Sequence, residues 1–143
     1  AVGTPQLSAA SNNSGFYQIS GLTAGGNYTI TPSKTGNING ISPFDATLIL
    51  RCIAAGPANC TLTENQKIAA DTSNDDEITP FDATQILRFV AANRQTDFTG
   101  ETGNWKFSPP SRPYNSVSNS ASNENYEAFL IGDVNGSWTP SGN

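Results

Sequence analysis

A gapless internal repeat constrains the fold of this chain more than any other feature. Residues 41–55, ISPFDATLILRCIAA, and residues 78–92, ITPFDATQILRFVAA, are identical at 11 of 15 positions and lie 37 residues apart. Each copy begins with a hydroxyl residue followed by proline, an order that suits the N-cap and the first position of a helix. The repeat therefore predicts two similar helices, opened by Ser42-Pro43 and Thr79-Pro80.

Apolar residues recur within each copy at helical spacing, which predicts that the two helices pack against each other through these stripes. Gly56-Pro57 ends the first helix, and Thr63-Glu64-Asn65-Gln66 has the form of a capping box that starts a short helix extending to about Ala70. The predicted stripes are Phe44, Leu48, Ile49 and Ile53 in the first helix and Phe81, Ile86, Phe89 and Val90 in the second.

The segment before the second repeated helix carries an oxygen donor at every ligand position of a twelve-residue calcium loop. Such loops use positions one, three, five, seven, nine and twelve. Ile78 stands at position eight, where an apolar residue ties the loop to the core, and Asp76 replaces the usual glycine at position six, which requires a left-handed aspartate. The alternative is a solvated acidic turn that caps the helix. The predicted ligands are Asp71, Ser73, Asp75, the carbonyl of Glu77, Thr79 and Asp82.

The first repeat retains only the second half of such a loop, because Lys34, Gly36 and Ile38 occupy the places of the first three ligands. Residues 132–137, GDVNGS, have the pattern of the missing first half. We therefore expect a composite calcium site, closed within one chain or between neighbouring chains. The alternative is a simple turn at 133–136 and an Asp45 favoured by the helix dipole. The predicted composite ligands are Asn37, Asn39, Ser42, Asp45, Asp133 and Asn135.

The amino-acid composition excludes several classes of protein function. The chain has no histidine, which excludes imidazole bases, histidine metal ligands and Ser-His-Asp triads. Its 12 acidic and 7 basic residues give a net charge of −5, which disfavours nucleic-acid binding and leaves carboxylates for cations. No apolar run approaches the roughly 20 residues of a membrane helix. We expect no enzymatic activity, no small-molecule substrate, no membrane insertion and no nucleic-acid partner.

The two cysteines, Cys52 and Cys60, lie eight positions apart without the paired CxxC spacing of a zinc site. A local disulfide in an oxidising compartment is the favoured interpretation, and two buried free thiols are the alternative.

Short strand-like segments flank the repeats, at 16–19, 28–31, 105–107 and 126–131. We predict an α+β fold in which a pair of calcium-loop helices packs with one small, incomplete antiparallel sheet built from N- and C-terminal strands. The predicted organisation has three parts. These are partial β-sandwich strands at 1–33, the calcium-binding helical repeat at 34–93, and a loop-rich segment at 94–143 whose strands return to the sheet.

The repeated loop and helix resemble the type I dockerin family, whose loop has the form DxNxDGxINxxD. The preceding stretch, Gly15-Phe16-Tyr17 through Tyr28-Thr29-Ile30-Thr31-Pro32, is similar to the closing strands of a carboxypeptidase-regulatory-like or collagen-binding B-type β-sandwich. Together the resemblances imply a secreted bacterial surface protein with a calcium-dependent module that binds cohesin. The residues that match the dockerin loop are Asp71, Ser73, Asp75, Ile78, Thr79 and Asp82.

An incomplete sheet leaves open edges that a strand from another copy can fill. We therefore expect a secreted, calcium-stabilised structural subunit at the cell surface, which assembles with other copies into a filament or surface layer. The alternative is a dockerin-like module that binds a cell-surface protein partner or acts as a spacer in a larger secreted protein.

Overall fold

A computed structural model, which describes residues 7–94 and 99–140, contains three helices and four short strands in its described part. This composition confirms the mixed α and β class. In chain order the elements are β1 (Tyr28–Ile30), α1 (Pro43–Ala55), α2 (Glu64–Ala70), α3 (Pro80–Ala91), β2 (Trp105–Ser108), β3 (Arg112–Tyr114) and β4 (Glu127–Leu130).

The three helices begin and end where local signals predict. Ser42 and Thr79 are the N-cap residues of α1 and α3, and a proline follows each of them. Thr63 caps α2, where its backbone N–H donates to the side chain of Gln66 at 2.9 Å and its hydroxyl accepts from the Gln66 N–H at 3.2 Å. Gly56 ends α1 with a φ of 81°, a conformation that glycine adopts without steric cost.

The chain divides into two compact units. The helical unit comprises Pro32–Pro110 and Tyr126–Asn143, and the small unit comprises Ala1–Thr31 and Ser111–Asn125. The predicted segment 94–143 thus contributes to both units. Within the helical unit, α1 packs on α3, β2 pairs with β4, and α2 lies against β4.

The predicted single sheet is wrong, because the described strands form two separate two-stranded antiparallel sheets. In the small unit β1 pairs with β3, with Tyr28 opposite Tyr114. In the helical unit β2 pairs with β4, with Trp105 opposite Leu130. A strand is also predicted at 16–19, but the structure forms no strand at these residues.

The core lies in the helical unit, where α1 and α3 contribute Ile49, Ile86 and Phe89 at 0% exposure. The predicted stripes are wrong at one place in each helix, because Phe44 and Phe81 are each 51% exposed. The buried positions beside them are Asp45 and Ala46 in α1 and Asp82 and Ala83 in α3. The other buried members of the same hydrophobic cluster are Ile41, Leu62, Ala70, Leu130 and Val134.

The predicted disulfide between Cys52 and Cys60 is present and joins the end of α1 to the loop before α2, with a Cα–Cα distance of 4.4 Å. Among the described residues, no helix has both the length and the apolar character required to cross a membrane.

Candidate metal centre

The loop at 71–82 wraps its backbone around two aspartates. Asp71 Oδ1 accepts the N–H of Asp75 at 3.1 Å, and its Oδ2 accepts the N–H of Asp76 at 3.0 Å. Asp82, at the other end of the loop, accepts the N–H of Ser73 at 2.9 Å on Oδ1 and the N–H of Thr79 at 2.8 Å on Oδ2. Asp76 has a φ of 64°, the left-handed conformation predicted for position six.

The two predicted half-loops meet in the structure. Asp45 Oδ1 accepts the N–H of Asn135 at 3.0 Å across a separation of 90 residues. Asp45 Oδ2 accepts the N–H of Ser42 at 2.8 Å. Asp133 Oδ1 accepts the N–H of Ser137 at 3.0 Å, and its Oδ2 accepts the N–H of Trp138 at 2.9 Å.

The two aspartates of the composite loop accept the same backbone N–H groups, atom for atom, as the two aspartates of the continuous loop. Asp133 accepts from the residues four and five positions later, as Asp71 does. Asp45 accepts from its own N-cap residue and from the third residue of the other half, as Asp82 does. Residues 133–138 and 40–45 therefore correspond to residues 71–76 and 77–82, although they come from opposite ends of the sequence.

Asn37 and Asn39, which lie just before the second half of the composite loop, form hydrogen bonds to residues at and just after the end of the first half. The Asn39 amide donates to the Thr139 carbonyl at 2.9 Å and accepts the Thr139 N–H at 2.9 Å. The Asn37 carbonyl accepts the indole N–H of Trp138 at 2.7 Å. Both asparagines precede residue 40, so they lie outside the stretch that corresponds to the ligand positions of the continuous loop.

An aromatic clamp lies beside the composite loop. The rings of Trp105 and Trp138 meet edge to face with their centroids 5.1 Å apart. The ammonium group of Lys34 lies 5.0 Å from the Trp105 ring centroid and 5.2 Å from that of Trp138, within cation–π range. The clamp therefore links three distant parts of the helical unit at the junction of the half-loops.

Burial governs the electrostatics of Asp45, whose residue exposure is 0%. Loss of water raises its pKa above the ordinary value of 3.8, and the nearby charge of Asp133 adds to the increase. The N–H groups of Asn135 and Ser42 oppose this rise because they stabilise the ionised carboxylate. A cation bound beside these two carboxylates would offset the free-energy cost of burying their charges and the repulsion between them.

The donors of the continuous loop fit Ca²⁺, a hard cation that takes oxygen ligands. Its six candidate ligand positions carry three carboxylates, two hydroxyls and one carbonyl. The composite loop offers one carboxylate fewer, because Ser137 replaces the aspartate at position five. Gly40 supplies the carbonyl at position seven, as Glu77 does in the continuous loop. The Ser137 hydroxyl donates to the Gly40 carbonyl at 3.0 Å. Within residues 7–94 and 99–140, no three carboxylate or thiolate side chains converge on one point in a metal-binding group.

The predicted ligands of the composite loop omit Ser137, and no sequence pattern singles out Trp138. The spacing from Asp133 contains the signal for Ser137, since it falls at position five. Trp138 carries no such signal, because its role depends on its backbone N–H and on its contacts with distant residues.

No protein-family model matches this chain, and no curated protein or solved structure matches it at a significant level. The resemblance to dockerins therefore remains a prediction carried by the loop residues alone.

Proposed function

We propose that this protein is an extracellular, calcium-stabilised structural subunit that assembles with other copies of itself through strand complementation. The observation that carries the proposal is the lack of a core in the small unit, where no described residue is buried. Its only described sheet has two strands of three residues each. A two-stranded sheet is marginally stable on its own, and a strand from a second copy would extend this sheet and bury more of its apolar surface.

The hydrogen bonds of the two loops support the calcium part of the proposal. Both loops hold paired aspartates in the same arrangement, and the composite loop draws its halves from segments 90 residues apart. A cation bound there joins distant parts of the helical unit. Calcium in this protein thus acts as a structural brace.

The disulfide between Cys52 and Cys60 supports the extracellular part of the proposal, because disulfides form and persist in oxidising compartments.

A second candidate function, a dockerin-like protein-binding or spacer module, is favoured by a different observation. Phe44 and Phe81 occupy equivalent positions of the two repeats and are equally exposed. Leu50 and Leu87, also equivalent, are 45% and 43% exposed. Two helices that present the same apolar side chains form a surface suited to a protein partner.

Electron microscopy and sedimentation of the purified chain with calcium separate the two candidates. The structural subunit is expected to form regular filaments or layers whose amount increases with protein concentration. A chain that stays a monodisperse monomer over the whole concentration range contradicts self-assembly and favours the protein-binding module.

Isothermal titration with calcium tests the brace independently of assembly. The parent chain is expected to bind two ions, and Asp133→Ala is expected to bind one, because it loses the first ligand of the composite loop. Asp76→Asn is the matched control, since position six is not a ligand position and asparagine adopts the left-handed conformation readily. An unchanged stoichiometry in Asp133→Ala rules out the composite site.

A further inference from the structure

The small unit contains an open groove with a volume of about 1220 Å³. Tyr28, Ile30 and Tyr114, which lie on one face of the sheet of β1 and β3, line it together with the segments 15–22 and 115–125. We propose that this groove binds the exposed segment of residues 7–11, called the arm below, of a second copy of the chain. The inference rests on the proposed self-assembly and identifies the two surfaces that meet.

The backbone of residues 18–22 is available for strand pairing. Side chains from 17 to 20 alternate between half-buried and exposed, the pattern of an extended segment. Among the described residues, 18–22 form no backbone hydrogen bond. Unpaired backbone groups of this kind accept an added strand, which supplies main-chain hydrogen bonds along its whole length.

The size and charge of the groove favour a polypeptide over a small ligand. Its volume of about 1220 Å³ exceeds the roughly 300–1,000 Å³ of small-molecule sites. Residues 1–31 contain no charged side chain, and residues 111–125 contain only Arg112 and Glu124. These two side chains form an ion pair with each other at 2.9 Å. The described lining of the groove therefore offers no unpaired charge, which favours an uncharged occupant.

The arm at 7–11 has the properties of such an occupant. All five residues are exposed and uncharged, and they make no hydrogen bond in the described chain. Leu7, which is 42% exposed, and Ala9 fall on one side of an extended strand, while Ser8 and Ala10 fall on the other. The Leu7 side can fill the groove while the Ser8 side remains accessible to polar surroundings.

A turn at residues 12–16 joins the arm to the segment that lines the groove, and the arm makes no hydrogen bond with that segment among the described residues. Asn12 Oδ1 accepts the N–H of Ser14 at 2.9 Å and the N–H of Phe16 at 3.0 Å. Each copy thus carries one arm and one groove. Such contacts between unlike surfaces are heterologous, and a series of them gives an open filament unless the rotation closes a ring.

Two charge-matched double variants test the assignment by sedimentation in calcium. Leu7→Asp with Ala9→Asp places two carboxylates on the groove side of the arm, and assembly is expected to be lost. Ser8→Asp with Ala10→Asp adds the same charge to the opposite side, and assembly is expected to persist. Assembly of the Leu7→Asp, Ala9→Asp chain at the parent level overturns the assignment alone, whereas a monomeric parent overturns both the assignment and the proposed self-assembly.

A peptide measurement tests the groove directly and does not depend on filament formation. A fluorescent peptide of residues 1–14 is expected to bind the full-length Leu7→Asp, Ala9→Asp chain, whose own arms cannot compete with the peptide for the groove. The same peptide with both changes is expected to bind at least tenfold more weakly in fluorescence anisotropy. Equal binding of the two peptides overturns the assignment. Failure of the parent peptide to bind also overturns it.

Discussion

Phe44 and Phe81 lie outside the core because the aspartates that follow them take the inward-facing positions. Successive helical residues are about 100° apart around the axis, so a residue directly before a buried aspartate points away from that face. Asp45 and Asp82 must face inwards, since each accepts N–H groups from its loop. The loops therefore determine which face of each helix is buried.

This orientation predicts very different losses of stability for two phenylalanines of α3. Phe89→Ala should lower the free energy of unfolding by about 3–5 kcal/mol, because it removes a ring that is 0% exposed. Phe81→Ala should change it by only about 0.5 kcal/mol, because surface substitutions rarely cost more. Urea unfolding followed by tryptophan fluorescence measures both, and similar losses in the two variants would contradict the observed helix orientation.

Glu124 gives the small unit a dependence on pH. The hydrogen bond from Tyr114 and the charge of Arg112 lower its pKa below the ordinary value of 4.5. A lowered acidic pKa stabilises the folded state above the unfolded value, and this stabilisation is lost as pH falls through the folded value.

Glu124→Gln should therefore destabilise the small unit at pH 7 and have little effect at a pH below the folded pKa. Urea midpoints of the amide signals of residues 115–125 in NMR spectra measure the difference. Glu127→Gln, an exposed change in the helical unit, is the control. Equal effects of Glu124→Gln at both pH values would be inconsistent with the lowered pKa.

At the scale of elements, the composite loop depends on a close approach of its two halves at Gly40. Gly40 has a φ of 99°, and a Cβ there would lie 2.8 Å from the Trp138 nitrogen and 3.1 Å from Asp133 Oδ2. Only glycine combines this conformation with this contact. The junction is therefore sensitive to a single methyl group.

Gly40→Ala should destabilise the protein and remove one bound calcium ion. Gly36→Ala is the matched control, because Gly36 also has a positive φ, of 68°, but a methyl group there would meet no atom within 4 Å. Both changes incur the left-handed penalty of about 1–2 kcal/mol, and only Gly40→Ala adds the clash. Calcium titration and urea unfolding compare them, and identical results would show that the close approach has no energetic role.

At the scale of the whole molecule, the two units differ in the number of buried residues that they contain. Every buried residue in the described chain belongs to the helical unit. Local stability follows buried apolar contacts, so the small unit should open far more often than the helical unit.

Hydrogen exchange followed by mass spectrometry should show this difference. In the monomer, amides of residues 16–31 and 111–125 should exchange much faster than those of α1 and α3. Calcium should slow exchange in the helical unit, and assembly should slow it in the small unit. Strong protection of the small unit in a monomer would mean that it needs no second chain.

Chelation tests the brace at the same scale. EDTA should lower the melting temperature of the helical unit, followed by tryptophan fluorescence, because Trp105 and Trp138 both belong to that unit. An unchanged melting temperature after complete removal of calcium would contradict a structural role for the ion.

The sequence by itself determined the helices, the disulfide and the complementary half-loops. Helix bounds follow from caps, prolines and glycines within a few residues of each end, and Cys52 and Cys60 are close in sequence. The pairing of Asp45 with Asn135 was also predictable, because a loop with a fixed spacing of ligands reveals which half is missing.

Only the tertiary structure decided the strand pairing and the exposed side of each helix. β3 lies in a segment rich in serine, asparagine and proline, with no apolar alternation to mark it as a strand, and its pairing with β1 joins residues far apart in the chain. The burial of Asp45 and Asp82 likewise depends on N–H groups supplied by their loops. Local signals fix local structure, whereas strand partners and buried faces depend on contacts that form only when distant segments meet.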